Sequence, residues 1–234
     1  MMPRPKLIAC DVIGTLVSLE RMRPLLTGLG LPPAALEIWF ASALRDAFAL
    51  AITDRFAPFR LVLRGELASL LSAHGLPVRM ERLDAVLDGM AELDPQPDAA
   101  EALALLTEAG FRVAALSNGS AEATEQLLRR GGLHRHVEMV LSIDQVQRSK
   151  PRAEVYLSAA QAAGVAPGEA ALVAAHAWDT HGAKVAGLGA AFVARGQIYP
   201  RVLVQPDLQG EALRDVALAL AALDPAPAGA RAGG

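Results

Sequence analysis

The chain has 234 residues, of which 53% are hydrophobic and 20% charged, with a formal net charge of −3. This composition is typical of an ordinary globular protein and excludes a disordered chain or a basic protein that coats nucleic acid. The only cysteine, Cys10, excludes an intrachain disulfide framework and a thiolate metal cluster. We therefore expect a reducing, cytoplasmic location and no nucleic-acid partner.

The amino-terminal residues are predicted to form a strand rather than a leader. Basic residues precede an apolar stretch, as in a signal peptide, but Asp11 interrupts that stretch and no small-residue cleavage site follows. No apolar segment of about 20 residues is free of charges and of Gly or Pro breaks, so no membrane span is expected.

The first half of the chain reads as one strand followed by helices. Residues 6–12 form an apolar run that ends at an acidic residue and the turn-prone Gly14, which is typical of a buried parallel strand. Residues 36–52, 59–75 and 80–93 then carry apolar residues at three- and four-residue spacing, which predicts helices. A helical block of this kind indicates an inserted cap.

From Asp94 onward helices and strands alternate after the Pro-rich segment at 94–98. The predicted helices cover 99–110, 121–131, 153–164 and 182–189, and the predicted strands cover 111–119, 137–143, 169–178 and 190–195. This order implies right-handed crossovers and a parallel sheet with helices on both faces.

We therefore predict an α/β fold with a Rossmann-like doubly wound parallel sheet core and an inserted helical cap. The core is predicted to comprise residues 1–18 and 94–224, and the cap residues 19–93. Residues 225–234 are rich in Pro, Gly and Ala and are predicted to form a flexible tail.

Polar residues follow four of the predicted strands and should meet at one edge of the sheet. In chain order they are Asp11, Thr15, Ser117, Asn118, Lys150, His176 and Asp179. Each alone has a simpler interpretation, such as a turn, a solvated charge or a helix N-cap. Together they predict one functional crevice, because sheet topology makes them converge.

Four motifs in the chain resemble those of the haloacid dehalogenase superfamily. D-V-I-G-T-L at 11–16 is similar to its first motif and L-S-N-G at 116–119 to its second. S-K-P at 149–151, with Tyr156 six residues beyond Lys150, is similar to the third, and A-H-A-W-D-T-H-G-A at 175–183 to the fourth. The resemblance covers the whole core and implies a cap at the predicted position.

The superfamily contains mostly magnesium-dependent phosphatases, and two of their acidic positions are apolar here. Ile13 stands where those enzymes have a second Asp, and Ala174 and Ala175 stand where a metal-binding Gly-Asp pair is expected. A hard cation needs several oxygen ligands. The chain therefore resembles the L-2-haloacid dehalogenase branch, which works without a metal or another cofactor.

This resemblance implies roles for the residues of the four motifs. Asp11 would attack the carbon that bears the halide, and Lys150 would hold the Asp11 charge. Thr15 and Ser117 would position the nucleophile and the substrate carboxylate. Backbone N–H groups of the first-motif loop, at Val12 and Ile13, would assist.

Three further residues complete the implied machinery. Asp179 would orient or activate the hydrolytic water, and Tyr156 would support the lysine and the substrate. Asn118 would donate a hydrogen bond to the departing halide.

The implied halide site departs from the family pattern. Phe59 stands where the family has an aromatic ring, but the arginine that would follow Trp39 is Phe40. Arg45 could supply a guanidinium from the same helix, or it could be a surface charge, and both interpretations stay open.

Two pocket positions also differ from characterised dehalogenases. Ile13 replaces a common Tyr, and His176 replaces the Asn before A-W-D, where it could bind water or substrate. Trp178 is expected to be a pocket wall.

The leading hypothesis is hydrolytic dehalogenation of short 2-haloalkanoic acids through an aspartyl ester. The alternatives are a magnesium-dependent small-molecule phosphatase and a non-catalytic relative that binds a carboxylate or a protein partner. The apolar faces of the cap helices could form a homodimer or could be buried within the cap.

Overall fold

The computed structural model describes residues 2–224 and has one sheet of six parallel strands. The strands are β1 Leu7–Asp11, β2 Arg112–Ser117, β3 Met139–Ser142, β4 Ala170–Ala174, β5 Gly189–Val193 and β6 Leu208–Gly210. Their spatial order is β3-β2-β1-β4-β5-β6. The order reverses direction between β1 and β4, and open α/β sheets form their ligand crevice at the carboxyl ends of the strands at such a point.

Apart from Asp11 at the end of β1, the strands of the sheet centre consist of apolar residues that are buried on both faces. β1, β4 and β5 are buried at every position, as expected for a parallel sheet covered by helices. The alanines of β4 and β5, and Gly189 of β5, allow the covering layers to approach closely.

Five helices lie between β1 and β2 in the chain. They are α1 Met22–Thr27, α2 Ala35–Ile52, α3 Phe59–Ala73, α4 Met80–Asp88 and α5 Ala99–Glu108, with a 3-10 helix at Gly89–Glu92. The chain leaves the sheet region at Ser18 and returns at Asp94, where the Ser18 N–H donates to the Asp94 carbonyl at 2.8 Å. α1 to α4 thus lie in a segment whose two ends are hydrogen-bonded to each other, as expected for an insertion. The cap boundaries at residues 19 and 93 stay a prediction.

The remaining helices alternate with the strands. They are α6 Ala121–Arg130, α7 Ile143–Val146, α8 Ala153–Ala163, α9 Ala177–Val185 and α10 Leu213–Ala221, with 3-10 helices at His134–His136 and Pro167–Glu169. α5 packs against α10 and α8 packs against α9, and each pair contacts the strands. The predicted α/β fold with a parallel sheet is confirmed.

Several details of the predicted element order are wrong. The strand predicted over 169–178 ends at Ala174, and the helix predicted from Gly182 begins at Ala177. The apolar run A-A-H-A-W continues the strand pattern past the true end, so periodicity alone could not locate the turn. β6 and α10 were not predicted.

The predicted tail at 225–234 lies outside the described residues. None of the described helices is long and apolar enough to cross a bilayer.

Candidate active site

The nucleophile candidate Asp11 lies at the carboxyl end of β1, beside the loop that follows β4. Its side chain is 8% exposed and accepts hydrogen bonds on both oxygens. Oδ2 accepts from the Thr15 hydroxyl at 2.7 Å and from His176 Nδ1 at 3.1 Å. Thr15 is itself fixed by the Ala175 N–H, which donates to its Oγ1 at 2.9 Å. The first and fourth motifs therefore meet at one carboxylate.

The tight turn after β1 allows this contact. Gly14 has φ +86°, a left-handed conformation that favours glycine. A β-carbon at this position would lie 2.7 Å from His176 Cε1. Glycine is thus required both for the turn and for the approach of the imidazole to Asp11.

Lys150 is fully buried and donates three hydrogen bonds from Nζ. The acceptors are Asp11 Oδ1 at 2.9 Å, Asp179 Oδ2 at 2.8 Å and the Leu116 carbonyl at 2.8 Å. Lys150 does not follow β3 directly, as the sequence had suggested, because α7 and a turn lie between them. All three protons of the ammonium are therefore directed at fixed acceptors.

Asp179 and Tyr156 form the deep end of this network. The Tyr156 hydroxyl donates to Asp179 Oδ1 at 2.6 Å, and both side chains are fully buried. Since Lys150 binds the other oxygen, both Asp179 oxygens have donors. Asp179 does not line the cavity beside Asp11.

The electrostatics of the network keep Asp11 ionised. Burial by itself would raise the pKa of Asp11, but the Lys150 ammonium and the His176 hydrogen bond outweigh it and hold this pKa below its usual range. Burial raises the pKa of Asp179 and of Tyr156. Burial would lower the pKa of Lys150, but the two carboxylates more than compensate and raise it.

A small cavity of about 10 Å³ opens beside Asp11. It is lined by Asp11, Ile13, Phe40, Leu44, Phe59, Asn118, His176 and Trp178. Asn118 Oδ1 accepts from the Lys150 backbone N–H at 3.3 Å, which leaves the amide NH₂ group as a donor. The cavity therefore joins one anionic nucleophile and two polar side chains to an apolar wall.

Aromatic side chains from α2 and α3 form much of that wall. Phe40 and Phe59 pack edge to face with ring centroids 6.2 Å apart. The His176 ring is stacked on Trp178 at 5.5 Å, and Phe48 packs against Trp178 at 5.1 Å. The stacking fixes the imidazole against Asp11.

Most predicted site residues lie at this crevice. Val12 is completely buried, so only its backbone is available, whereas the Ile13 side chain reaches the cavity. Ser117 is buried and accepts from the Gly119 N–H at 2.9 Å. Ser117 lines a neighbouring cavity rather than the one beside Asp11.

Arg45 is not at the site, so its predicted role in halide binding is wrong. Its side chain is 67% exposed and pairs with Asp46 at 2.9 Å and Glu66 at 3.4 Å. It follows Leu44, which faces the cavity, and one residue further along a helix turns the side chain away. None of the arginines in residues 2–224 lines the cavity beside Asp11.

Phe40 and Leu44 are cavity residues that the sequence analysis did not identify. Phe40 was considered only as the position of a missing arginine. The signal that could have found them is helical spacing, because Phe40, Leu44 and Phe48 recur every four residues on one face of α2.

The donor set around Asp11 does not fit a magnesium ion. Ile13 presents an apolar side chain to the cavity, and both Asp11 oxygens already accept hydrogen bonds. Within residues 2–224 no group of three or more His, Cys, Asp and Glu side chains is arranged to hold a metal. A hard cation would lack the oxygen ligands that it requires.

Comparison with known proteins identifies the family. A model of haloacid dehalogenase-like hydrolases matches residues 5–187. The chain belongs to this family. The resemblance found in the four motifs is thereby confirmed.

Two curated relatives match part of the chain. (S)-2-haloacid dehalogenase 1 of Pseudomonas sp. strain CBS-3 is 33% identical over 147 residues, which are 63% of this chain and 65% of the relative. Phosphoserine phosphatase of Thermus thermophilus is 34% identical over 153 residues, which are 64% and 61% of the two chains. The chain thus spans slightly under two thirds of these relatives.

A solved structure extends the likeness to nearly the whole chain. The L-2-haloacid dehalogenase of Xanthobacter autotrophicus, with chloropropionic acid covalently bound, has a TM-score of 0.85 and 26% identity. The alignment covers 96% of this chain and 100% of that one. Since haloacid dehalogenase-like hydrolases include both dehalogenases and phosphatases, the side chains at the site decide between these reactions.

Proposed function

We propose that the chain hydrolyses the carbon–halogen bond of short 2-haloalkanoic acids, with Asp11 as the nucleophile. The observation that carries this proposal is an ionised Asp11 that borders an apolar cavity and is held by Lys150 in place of a metal. The similarity to the (S)-2-haloacid dehalogenases supports it.

In the first step a carboxylate oxygen of Asp11 attacks the carbon that bears the halide. A carbon–oxygen bond forms as the carbon–halogen bond breaks, and the halide leaves with the bonding pair from the opposite side. Configuration at the carbon is therefore inverted. Lys150 keeps Asp11 unprotonated for the attack.

The leaving halide departs among donors and ring edges. The Asn118 NH₂ group donates to it, and the edge of the Phe59 ring presents the positive side of its quadrupole. Phe40 occupies the wall where the family resemblance had implied a guanidinium. Backbone N–H groups at Val12 and Ile13 bind the substrate carboxylate, while Ser117 fixes the loop after β2 by accepting from the Gly119 N–H.

In the second step water attacks Cγ of the Asp11 ester. Negative charge then develops on Oδ2, where the Thr15 hydroxyl and His176 Nδ1 already donate. An ionised carboxylate can only accept, so Nδ1 carries the proton in this contact. Two fixed donors at the developing oxyanion are the arrangement that stabilises such an intermediate.

Collapse of this intermediate completes the reaction. The ester bond breaks, the 2-hydroxy acid leaves with one proton of the water, and Asp11 is regenerated as the second proton is released. Asp179 orients Lys150, and its role in activating water acts through this contact, since both of its oxygens are occupied.

We also propose a location and an oligomeric state for the enzyme. We infer a reducing cytoplasm, because the only cysteine is buried and no disulfide is available. The cap helices expose Ile38, Ile52 and Leu61, which supports a homodimer through this surface.

The test of the reaction is halide release in the presence of a chelator. The panel contains fluoro-, chloro- and bromoacetate and both enantiomers of 2-chloropropionate. We expect release from wild type and its abolition in Asp11→Asn, because the amide cannot act as an anionic nucleophile. The matched control Asp88→Asn changes a carboxylate that is 74% exposed on the cap and should retain activity.

Each contrary result would indicate a different function. Cleavage of p-nitrophenyl phosphate only with added magnesium, and no halide release, would establish a phosphatase instead. Saturable binding of haloacids without turnover by folded protein would indicate a non-catalytic relative.

A further inference from the structure

A second, larger cavity adjoins the one beside Asp11. Its volume is 270 Å³, and it lies where the cap helices α3 and α4 meet α6. Its walls include Leu63, Leu87, Ala123 and Leu127. We call this cavity the side chamber.

The side chamber and the catalytic cavity share two walls. Ile13 and Phe59 line both, so these side chains form the boundary between the nucleophile and the chamber. Ser117 lines the chamber, while the adjacent Asn118 lines the catalytic cavity. The two spaces therefore adjoin each other and are separated only by apolar side chains.

The sizes of the two cavities differ in a way that bears on the substrate. The catalytic cavity, at about 10 Å³, has room for about one water molecule. The side chamber is larger than the dry cavity of roughly 150 Å³ that holds benzene in an engineered protein. The catalytic cavity itself has no room for an alkyl chain, and the space that adjoins it, beyond Ile13 and Phe59, is the side chamber.

The chemistry of the chamber restricts what can enter it. Most of its lining is aliphatic, which favours apolar groups. Asp144 and Arg60 also line it, so its two charged side chains are of opposite sign. The aliphatic walls therefore decide what the chamber prefers.

We propose that the side chamber binds the apolar side chain of 2-halo monocarboxylic acids, so that the enzyme accepts alkyl chains of about four to six carbons or a single aryl group. This inference rests on the proposed dehalogenase function and extends its substrate class.

The test fills the chamber from α6. Ala123→Phe places a ring in the chamber from α6, and Ala121→Phe adds the same ring to a position of that helix that does not line the chamber. The measured quantity is the ratio of kcat/KM for 2-bromohexanoate to that for 2-bromopropionate. We expect Ala123→Phe to lower this ratio by about tenfold or more, as for other losses of apolar pocket volume. Ala121→Phe should leave it unchanged.

A second filling variant keeps the outcome decisive. Ala91→Phe fills the chamber from the cap and should lower the same ratio, which covers the case in which Ala123→Phe does not fold.

The inference and the proposed function can fail separately. If 2-bromopropionate is hydrolysed but neither filling variant changes the ratio, the side chamber does not bind the tail. If no acid releases halide, the dehalogenase proposal fails, and calorimetric binding of hexanoate then tests the chamber alone. Hexanoate should bind more tightly than propionate to wild type and lose this advantage in Ala123→Phe. Equal binding of the two acids would overturn the inference.

Discussion

The ammonium of Lys150 joins two carboxylates that would otherwise repel each other in a fully buried site. Asp11 and Asp179 bind it at 2.9 and 2.8 Å, and the Leu116 carbonyl takes its third proton. Removal of one member of a buried ionic group leaves charge without compensation, which usually costs more than the group itself contributes. Lys150 is therefore a structural and a catalytic requirement.

We expect Lys150→Met to lose activity and to lower the free energy of unfolding by about 3–5 kcal/mol at pH 7. Without the lysine, mutual repulsion and burial would raise the pKa of the two carboxyls above their unfolded values. Their contribution to stability is then present at low pH and lost as pH rises, so the variant should recover stability between pH 7 and pH 5. Urea unfolding at the two pH values measures this.

Lys6→Met is the matched control, because Lys6 pairs with Glu169 at a surface position that is 64% exposed. Exposed pairs of this kind contribute at most about 1 kcal/mol. A Lys150→Met protein as stable as wild type, or one that acidification does not stabilise, would show that the network is not held by this charge.

The residues of the network could be predicted from the sequence, whereas of the cap residues at the cavity only Phe59 was predicted. Asp11, Thr15 and Lys150 lie in motifs whose spacing is set by the sheet, and the structure brings them together. The spacing of Phe40, Leu44 and Phe48 indicates which face of α2 packs inward. Which of these side chains reach the nucleophile depends on how α2 packs against the core, and the sequence alone does not give that packing.

Among the elements, α8 and α9 cross at a close distance, and this contact holds Tyr156 in the site. Gly182 lies on α9 where Tyr156 of α8 passes, and a β-carbon there would lie 2.6 Å from the Tyr156 hydroxyl oxygen and 2.7 Å from Pro151 Cβ. Tyr156 must stay in place to donate to Asp179 at 2.6 Å. Helix packing and the catalytic network are thus coupled through one glycine.

We expect Gly182→Ala to lower the free energy of unfolding by about 1–3 kcal/mol through overpacking. It should also reduce kcat, because the displaced Tyr156 releases Asp179 and hence Lys150. Gly65→Ala is the matched control in the middle of α3, where an added β-carbon meets no atom within 4 Å. It should stabilise the protein by about 0.5–1 kcal/mol. Thermal unfolding and halide release measure both variants, and equal effects would contradict the close approach.

The sequence predicted long helices with a regular apolar spacing better than it predicted short elements. The helices at Ala35–Ile52 and Phe59–Ala73 were predicted to within two residues, since their apolar spacing persists over several turns. β6 has only three residues and none is fully buried, so it has no recognisable apolar run. The end of β4 was misplaced because an alanine-rich run suits both a strand and a helix.

At the scale of the whole molecule, the site exists only where cap helices meet the sheet. Asp11 and Asn118 come from the sheet, while Phe40, Leu44 and Phe59 come from α2 and α3. This docking depends on shape complementarity between distant parts of the chain. The sequence therefore predicted the chemistry of the crevice more fully than its size and walls.

Alkaline conditions should test how tightly the whole core excludes water around the nucleophile. Burial, and then the neighbouring charge of Asp11, raise the pKa of the Cys10 thiol to about 12, while Lys150 lowers it in part. The pKa values of Lys150 and Tyr156 are also raised. All three groups keep their protons in the folded protein at a pH where the unfolded chain has begun to lose them. Each contributes stability that is lost as pH rises.

For Cys10 the contribution is complete below about pH 9, the value for an unburied thiol, and declines as pH rises toward 12. One such group changes the free energy of unfolding by about 1.4 kcal/mol per pH unit across this window. Cys10→Ala removes a titrating group, so its stability should fall less steeply between pH 9 and pH 11 than that of wild type. Cys10→Ser, which keeps the size but does not titrate in this range, should follow Cys10→Ala. Urea unfolding at half-unit pH steps measures the slopes, and parallel curves for wild type and both variants would mean that the thiol ionises as readily in the folded protein as in the unfolded chain.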